Sequence, residues 1–178
     1  LKLPNEIMNF RIDKDADGFS VPKGGLSPFS SVVIGPGIGL RPDAVKLIKQ
    51  LLVQYSGPVV IDADGLTLIS ENDLYEDLIR RRHPTVLTPH PGEMARLLKC
   101  SKSEVVNSPI SSVGQAAEKT GAVVLLKGAT SLIQSSENVT WFNHYPNDGM
   151  ATAGSGDVLA GMIGGLLGQG MNATDSVR

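Results

Sequence analysis

A chain of 178 residues, 41% of them hydrophobic, is long enough for one domain, and at this size roughly 70% of the unfolded surface can be buried. The 16 Lys and Arg against 18 Asp and Glu leave a net charge of −2, so there is no basic excess of the kind a nucleic-acid partner demands. A single cysteine, Cys100, excludes an internal disulfide framework and any multi-cysteine zinc site. The longest nearly apolar run, 158–168, falls far short of the roughly 20 residues that span a bilayer, so no membrane partner is expected. The opening LKLPNEIMNF carries neither the apolar core nor the cleavage site of a secretory signal, and the chain reads as cytoplasmic.

Along the chain, residues 13–26, rich in Asp, Gly and Lys, read as irregular surface or a peripheral hairpin. A short β-branched run, 31–34 (SVVI), stops at the glycine-rich 35–39 (GPGIG). A helix follows over 42–55, with Pro42 preset for its first turn and Val45, Ile48, Leu52 and Tyr55 on one face. Residues 58–61 (PVVI) form the next strand and 62–65 (DADG) a turn; 73–82 read as a helix and 85–88 (TVLT) as a buried strand. That strand breaks at Pro89-His90-Pro91-Gly92-Glu93, where Pro91 can start a helix running to Leu98. Arg80, Arg81, Arg82 and His83 read as positive side chains complementing a helix C-terminus.

A more polar helix is expected over 110–120, then the most hydrophobic strand, 122–126 (AVVLL), closed by Lys127 and Gly128. Residues 131–134 and 139–143 read as antiparallel strands around a turn. This βαβα order with a hairpin near the C-terminal part predicts an α/β fold: a mostly parallel central sheet with helices on both faces, in one domain over 1–178.

Four consecutive strands therefore end in polar or glycine-rich signals, and in a parallel sheet such ends share the edge where ligands bind. Residues 149–161 (GMATAGSGDVLAG) supply a fifth: a small-residue loop holding Asp157 runs into an apolar helix marked by Val158, Leu159, Met162, Ile163 and Leu166. Gly154 and Gly156 let the backbone approach a ligand, at a helix N-terminus whose unpaired N–H groups suit an anion. Asp157 there either caps the helix or handles a proton beside that anion. The pair Gly161 and Gly165 is expected to bring the helix close to the sheet.

Other residues carry two readings each. Lys127 either neutralises phosphate or snorkels from its strand end. Asp62 and Asp64 either make a turn or serve the rim. His90, restrained between two prolines, is a ligand candidate, and Glu93 either acts with it or closes a capping box. His83 and His144 have no evident partners. The loop 35–39 is not G-x-G-x-x-G, nor does any segment match G-x-x-x-x-G-K-[ST], which disfavours a dinucleotide dehydrogenase and a Walker ATPase. A nucleotide or phosphorylated-metabolite site is the leading reading.

VVIGPGIG, VVIDADGL, VLTPHPGEMARLL, LLKGATSLI and GMATAGSGDVLAGMIGGLLGQG, in this order, closely resemble the NAD(P)H-hydrate dehydratase family of the ribokinase-like superfamily. The resemblance implies a ribokinase-like fold and repair of hydrated NADH or NADPH (NADHX, NADPHX), with ADP or ATP as phosphoryl donor, Mg²⁺ and a homo-oligomer. It implies that Lys127, Gly128, Ala129, Thr130 and Ser131, with Gly154 and Gly156, line the nucleotide. Gly37, Gly39, Asp64, His90 and Asp157 would face the hydrated substrate, with Asp157 as catalytic base. Glu93 matches the acid of the superfamily's N-x-x-E element, here His90-x-x-Glu93, and would organise magnesium through phosphate or water. Family members extend past this chain at both ends, so the resemblance reads it as part of a larger domain. A kinase of a vitamin precursor, sharing the glycine-aspartate loop, or a noncatalytic nucleotide-binding module are the competing readings.

Overall fold

The computed structural model describes residues 14–15, 18–19, 25–147, 149 and 152–178. The opening ten residues, and Met150 and Ala151 of the small-residue loop, lie outside the described residues. Within 13–26, β1 (Lys14–Asp15) pairs antiparallel with β2 (Gly18–Phe19), in line with the hairpin alternative, and residues 13, 16–17 and 20–24 lie outside the described residues.

The main sheet has six strands in sequential order: β3 (Val32–Ile34), β4 (Val59–Ile61), β5 (Thr85–Leu87), β6 (Val123–Leu126), β7 (Ser131–Gln134) and β8 (Thr140–Asn143). β3 to β6 pair in parallel, and β7 and β8 add antiparallel. All residues of β4, β5 and β6 are buried, which requires cover on both faces.

Sequential order makes every crossover step the same way, and right-handed crossovers then fall on one face. That face carries α1 (Pro42–Gln54), α2 (Asp64–Glu71), α3 (Tyr75–Arg80), α4 (Pro91–Leu98), α5 (Lys102–Asn107) and α6 (Pro109–Thr120). Their Ile48, Leu51, Ile69, Leu78, Met94, Leu97 and Val113 pack with Val59, Ile61, Leu87, Val124 and Leu126 of the strands. The opposite face, Val60, Val86, Val123 and Leu125, is covered by α7 (Ser155–Gly168) and α8 (Ala173–Val177) through Ala160, Ile163, Leu167 and Val177.

α2, α5 and α8 do not follow from the periodicity of the sequence, and α3 is shorter than expected. Residues 65–70 of α2 are all buried, so it has no polar face to reveal its period. α5 did leave a signal: the Ser101 hydroxyl accepts from the Glu104 amide while the Glu104 carboxylate accepts from Ser101 N–H, a capping box. Of the basic run 80–83, Arg81 complements a helix end, but that of α1 rather than its own: its Nη1 donates to Tyr55 O at 2.8 Å and to Leu52 O at 3.4 Å.

The expected packing of Gly161 and Gly165 on the sheet is wrong. A Cβ built on either meets nothing within 4 Å, whereas one on Gly164 would lie 2.4 Å from Val33 Cγ2 and one on Gly168 3.1 Å from Ser31 Oγ. The close-packed pair is shifted by three residues, so α7 buries Ala160, Ile163, Gly164 and Leu167 while Val158 (63% exposed) and Met162 (58%) face outward. α7 is apolar nearly all round, so composition could not say which stripe turns inward.

Candidate active site

The C-terminal ends of β3, β4, β5 and β6 share one edge because these strands are parallel. Gly35 (φ +127°) leaves β3 so tightly against β4 that a Cβ there would sit 1.8 Å from Asp62 O. Asp62 N–H in turn donates to Ile34 O at 3.1 Å, locking the two loops together. The exposed Gly37 (φ +67°) turns the loop, and Gly39 N–H donates to Asp64 Oδ2 at 2.9 Å. Asp64 thus fastens the glycine loop.

Between the two acids, Ala63 has φ 50° and ψ −123°. The two carboxylates on either side of it serve different ends of the rim: Asp64 the glycine loop, Asp62 the next strands. Asp62 is 1% exposed. Its Oδ1 accepts from Ala63 N–H at 2.9 Å and from Lys127 Nζ at 2.8 Å. Asp62 is more than the residue of a turn, and Lys127 does not snorkel: it is drawn onto a buried carboxylate, with Glu93 Oε2 at 3.9 Å.

His90 and Glu93 form a capping box on α4. The His90 Nδ1 accepts from Gly92 N–H at 2.9 Å and Glu93 N–H at 3.2 Å, and Glu93 Oε2 accepts from His90 N–H at 2.8 Å. Two amides pointing at Nδ1 keep the proton of the neutral ring on Nε2, which lies 3.4 Å from Glu93 Oε1 on a half-exposed side chain. The histidine does the capping work of an asparagine and adds the Nε2–H donor.

Lys127, Gly128, Ala129 and Thr130 make the turn between β6 and β7, with Lys127 N–H tied to Pro89 O at 2.8 Å. Thr130 Oγ1 lies 2.6 Å from His144 Nδ1, so His144 has a partner after all, across the ends of β7 and β8. Ser131 Oγ reaches Gly128 O at 3.5 Å.

Gly154 is the N-cap of α7 in the left-handed region (φ 87°) and no side chain caps the helix. Asp157, exposed in the first turn, makes no side-chain hydrogen bond or ion pair among the described residues, which removes the capping reading. The same turn roofs the ion pair: a Cβ on Gly156 would lie 3.4 Å from Lys127 Nζ and 3.7 Å from Asp62 Oδ2. Asp157 therefore follows directly on a residue in contact with Lys127. The buried Thr88 Oγ1, beside Asp62 in the strand register, has no hydrogen-bond partner among the described residues. Sequence reasoning gave no role to Thr88 or His144 and undervalued Asp62.

The profile of the NAD(P)H-hydrate dehydratase family matches residues 5–177. The chain belongs to that family. It is 42% identical over 154 residues to the bifunctional NAD(P)H-hydrate repair enzyme Nnr of Thermofilum pendens, covering 86% of this chain and 29% of that protein. It is 40% identical over 140 residues to the ADP-dependent (S)-NAD(P)H-hydrate dehydratase of Neisseria meningitidis, covering 78% and 47%. The crystal structure of the ADP/ATP-dependent NAD(P)H-hydrate dehydratase of Bacillus subtilis, co-crystallised with ATP/Mg²⁺, superposes with a TM-score of 0.70 at 28% identity, over 83% of this chain and 50% of that one. The chain thus spans half or less of the length of these relatives. The expected fold is confirmed: the sheet and its helices match ribokinase-like neighbours. Among the described residues no helix is long and apolar enough to cross a membrane.

Proposed function

We propose that the protein of which this chain is part repairs hydrated NADH and NADPH in a reaction driven by ADP or ATP. The observation that carries the reading is the convergence of Lys127, Asp62 and Glu93 beneath the first turn of α7, next to Asp157, which has no side-chain partner among the described residues. Lys127, Gly128, Ala129, Thr130 and Ser131, with Gly154 and Gly156, form the nucleotide side. Gly37, Gly39, Asp64, His90 and Asp157 form the substrate side. The same reading places the protein in the cytoplasm, where one free thiol is compatible with a reducing compartment, and as a homo-oligomer.

In the reaction, the ring hydroxyl oxygen attacks the terminal phosphorus of the nucleotide. The bond to the bridging oxygen breaks, and the shortened nucleotide leaves with its electron pair. Asp157 accepts the hydroxyl proton, a contribution of about 10²- to 10⁴-fold for a positioned base. The carbon–oxygen bond then breaks with phosphate as leaving group. Electrons from the ring nitrogen assist, a proton leaves the neighbouring ring carbon, and the double bond of the reduced nicotinamide returns. Lys127 and the N–H groups of α7 stabilise charge on the transferring group. His90 Nε2–H donates to the substrate.

Among the described residues no three or more acidic, histidine or cysteine side chains gather into a metal cage. The free Oδ2 of Asp62, with Glu93 close to the same lysine, fits a cation shared with phosphates and water instead, the usual arrangement for Mg²⁺. Asp62 and Glu93 would hold Mg²⁺ there, and it would offset charge on the phosphates.

Recovery of the reduced-nicotinamide absorbance on adding NADHX with ADP or ATP tests the proposal. A stable phosphorylated product would instead indicate a kinase. Asp157→Asn is expected to keep the fold and nucleotide binding while losing turnover; dehydration at the parent rate by that variant would remove Asp157 from its role.

A further inference from the structure

A lysine at a strand end has four rotatable bonds, and a phosphate-binding role needs its ammonium in one place. Asp62 supplies the restraint. It directly follows β4, is almost wholly buried, and directs Oδ1 at Lys127 Nζ across the end of β5 at 2.8 Å. A carboxylate so far out of water cannot be left unpaired, and the partly exposed ammonium of Lys127 is the cation that answers it.

The backbone is built to keep it there. Ala63, at φ 50° and ψ −123°, occupies a region that residues with a Cβ seldom adopt, and such strain persists only where the surroundings impose it. The imposing contacts are visible: Ala63 N–H bonds Asp62 Oδ1, Gly65 N–H bonds Asp62 O at 3.0 Å, and Asp64 is committed to Gly39. Gly156 closes over the pair from α7, where a methyl group would touch both members.

We propose that Asp62 is the positioning residue for Lys127, fixing the ammonium at the mouth of the 127–131 turn where it meets the terminal phosphate of the nucleotide. This rests on the nucleotide-dependent reading above. It assigns Asp62 a task separate from any cation, since the lysine uses Oδ1 and leaves Oδ2 free.

The experiment has two arms. In the ligand-free protein, the Nζ resonance of Lys127 is followed by ¹⁵N NMR; an ammonium held in an ion pair gives an observable signal. Asp62→Asn, which keeps an acceptor for Ala63 N–H, is expected to abolish that signal, and an unchanged signal overturns the proposal. In the second arm, calorimetry compares ADP with AMP. Asp62→Asn is expected to weaken ADP about tenfold or more, as for loss of a hydrogen bond to a charged group, and AMP by less than about twofold. In a Lys127→Ala background the same substitution should have no further effect on ADP. An equal loss in that background would mean that Asp62 acts elsewhere, and the proposal falls. Should Asp62→Asn fail to fold, Asp62→Ser carries both arms. If the parent protein binds neither ADP nor ATP, the nucleotide-dependent reading fails, while the Nζ signal still decides whether Asp62 holds Lys127.

Discussion

Replacing Gly35 by alanine tests whether the rim is as tightly built as its distances say. The added Cβ would lie 1.8 Å from Asp62 O, 2.8 Å from Asp62 C and 3.0 Å from Gly65 N, all backbone atoms. Real Cβ contacts essentially never fall below 3.0 Å, so the β4 end must retreat by about 1.2 Å, and no rotamer change can absorb it. The retreat breaks the 3.1 Å bond from Asp62 N–H to Ile34 O and carries Asp62 away from Lys127. Adding roughly 1–3 kcal/mol for the left-handed φ and a similar cost for overpacking gives about 4 kcal/mol, a large part of a typical domain's stability. For a chain of this size that lowers Tm by roughly 10 °C. Urea and thermal unfolding read the stability, and ADP binding reads the site. Gly37→Ala in the same loop is the control: with nothing within 4 Å of its Cβ, it should cost only about 1–2 kcal/mol for its φ. Gly35→Ala within about 0.5 kcal/mol of the parent would refute the close approach on which the site geometry depends.

His90→Asn should leave stability within about 0.5 kcal/mol, since Asn caps α4 equally well, yet raise KM for the hydrated substrate about tenfold with ADP binding unchanged; steady-state kinetics with each substrate varied will tell. Gly161→Ala, in an open helical position, should stabilise the protein by about 0.5–1 kcal/mol, whereas Gly164→Ala, driven into Val33, should destabilise it by about 1–2 kcal/mol; paired denaturant curves of the opposite order would reverse the assignment of the buried stripe. Burial raises the Tyr55 phenol above its ordinary 10.0, against a smaller lowering by Arg81. The folded state then keeps a proton that the unfolded state gives up, so the stability it contributes is complete below pH 10.0 and is lost as pH rises through the raised value. Alkaline unfolding of Tyr55→Phe should show a shallower decline above that pH; an unchanged slope would contradict it.

Much of this architecture was legible in the residues. The strands announced themselves as short β-branched runs cut off by Gly, Pro or Asp, and their order required a largely parallel sheet with its chemistry on one edge. Pro91 and the His90-to-Glu93 spacing placed α4 to the residue, because Pro at the first position and a capping box are local signals. The longer amphipathic helices α1 and α6 were found from their periodicity, while α2, with residues 65–70 all buried, and the one-turn-scale α5 and α8 were not.

The candidate residues, too, could be named from the order of motifs, but not their couplings. Whether Asp62 makes a turn or holds a lysine 65 positions later is a question about the end of a strand two places away in the sheet. Nothing local to 62–65 separates the two, since the same Asp satisfies its own turn and the distant ammonium at once.

Local patterning determined the elements, their sequence along the chain and the edge on which ligands gather. Only the tertiary structure decided which stripe of α7 turns inward and where its first turn comes to rest. An evenly apolar helix gains nearly the same burial from several rotations, and the choice falls to shape: Gly164 and Gly168 fit against Val33 and Ser31, and that fit sets Gly156 over Lys127 with Asp157 next to it.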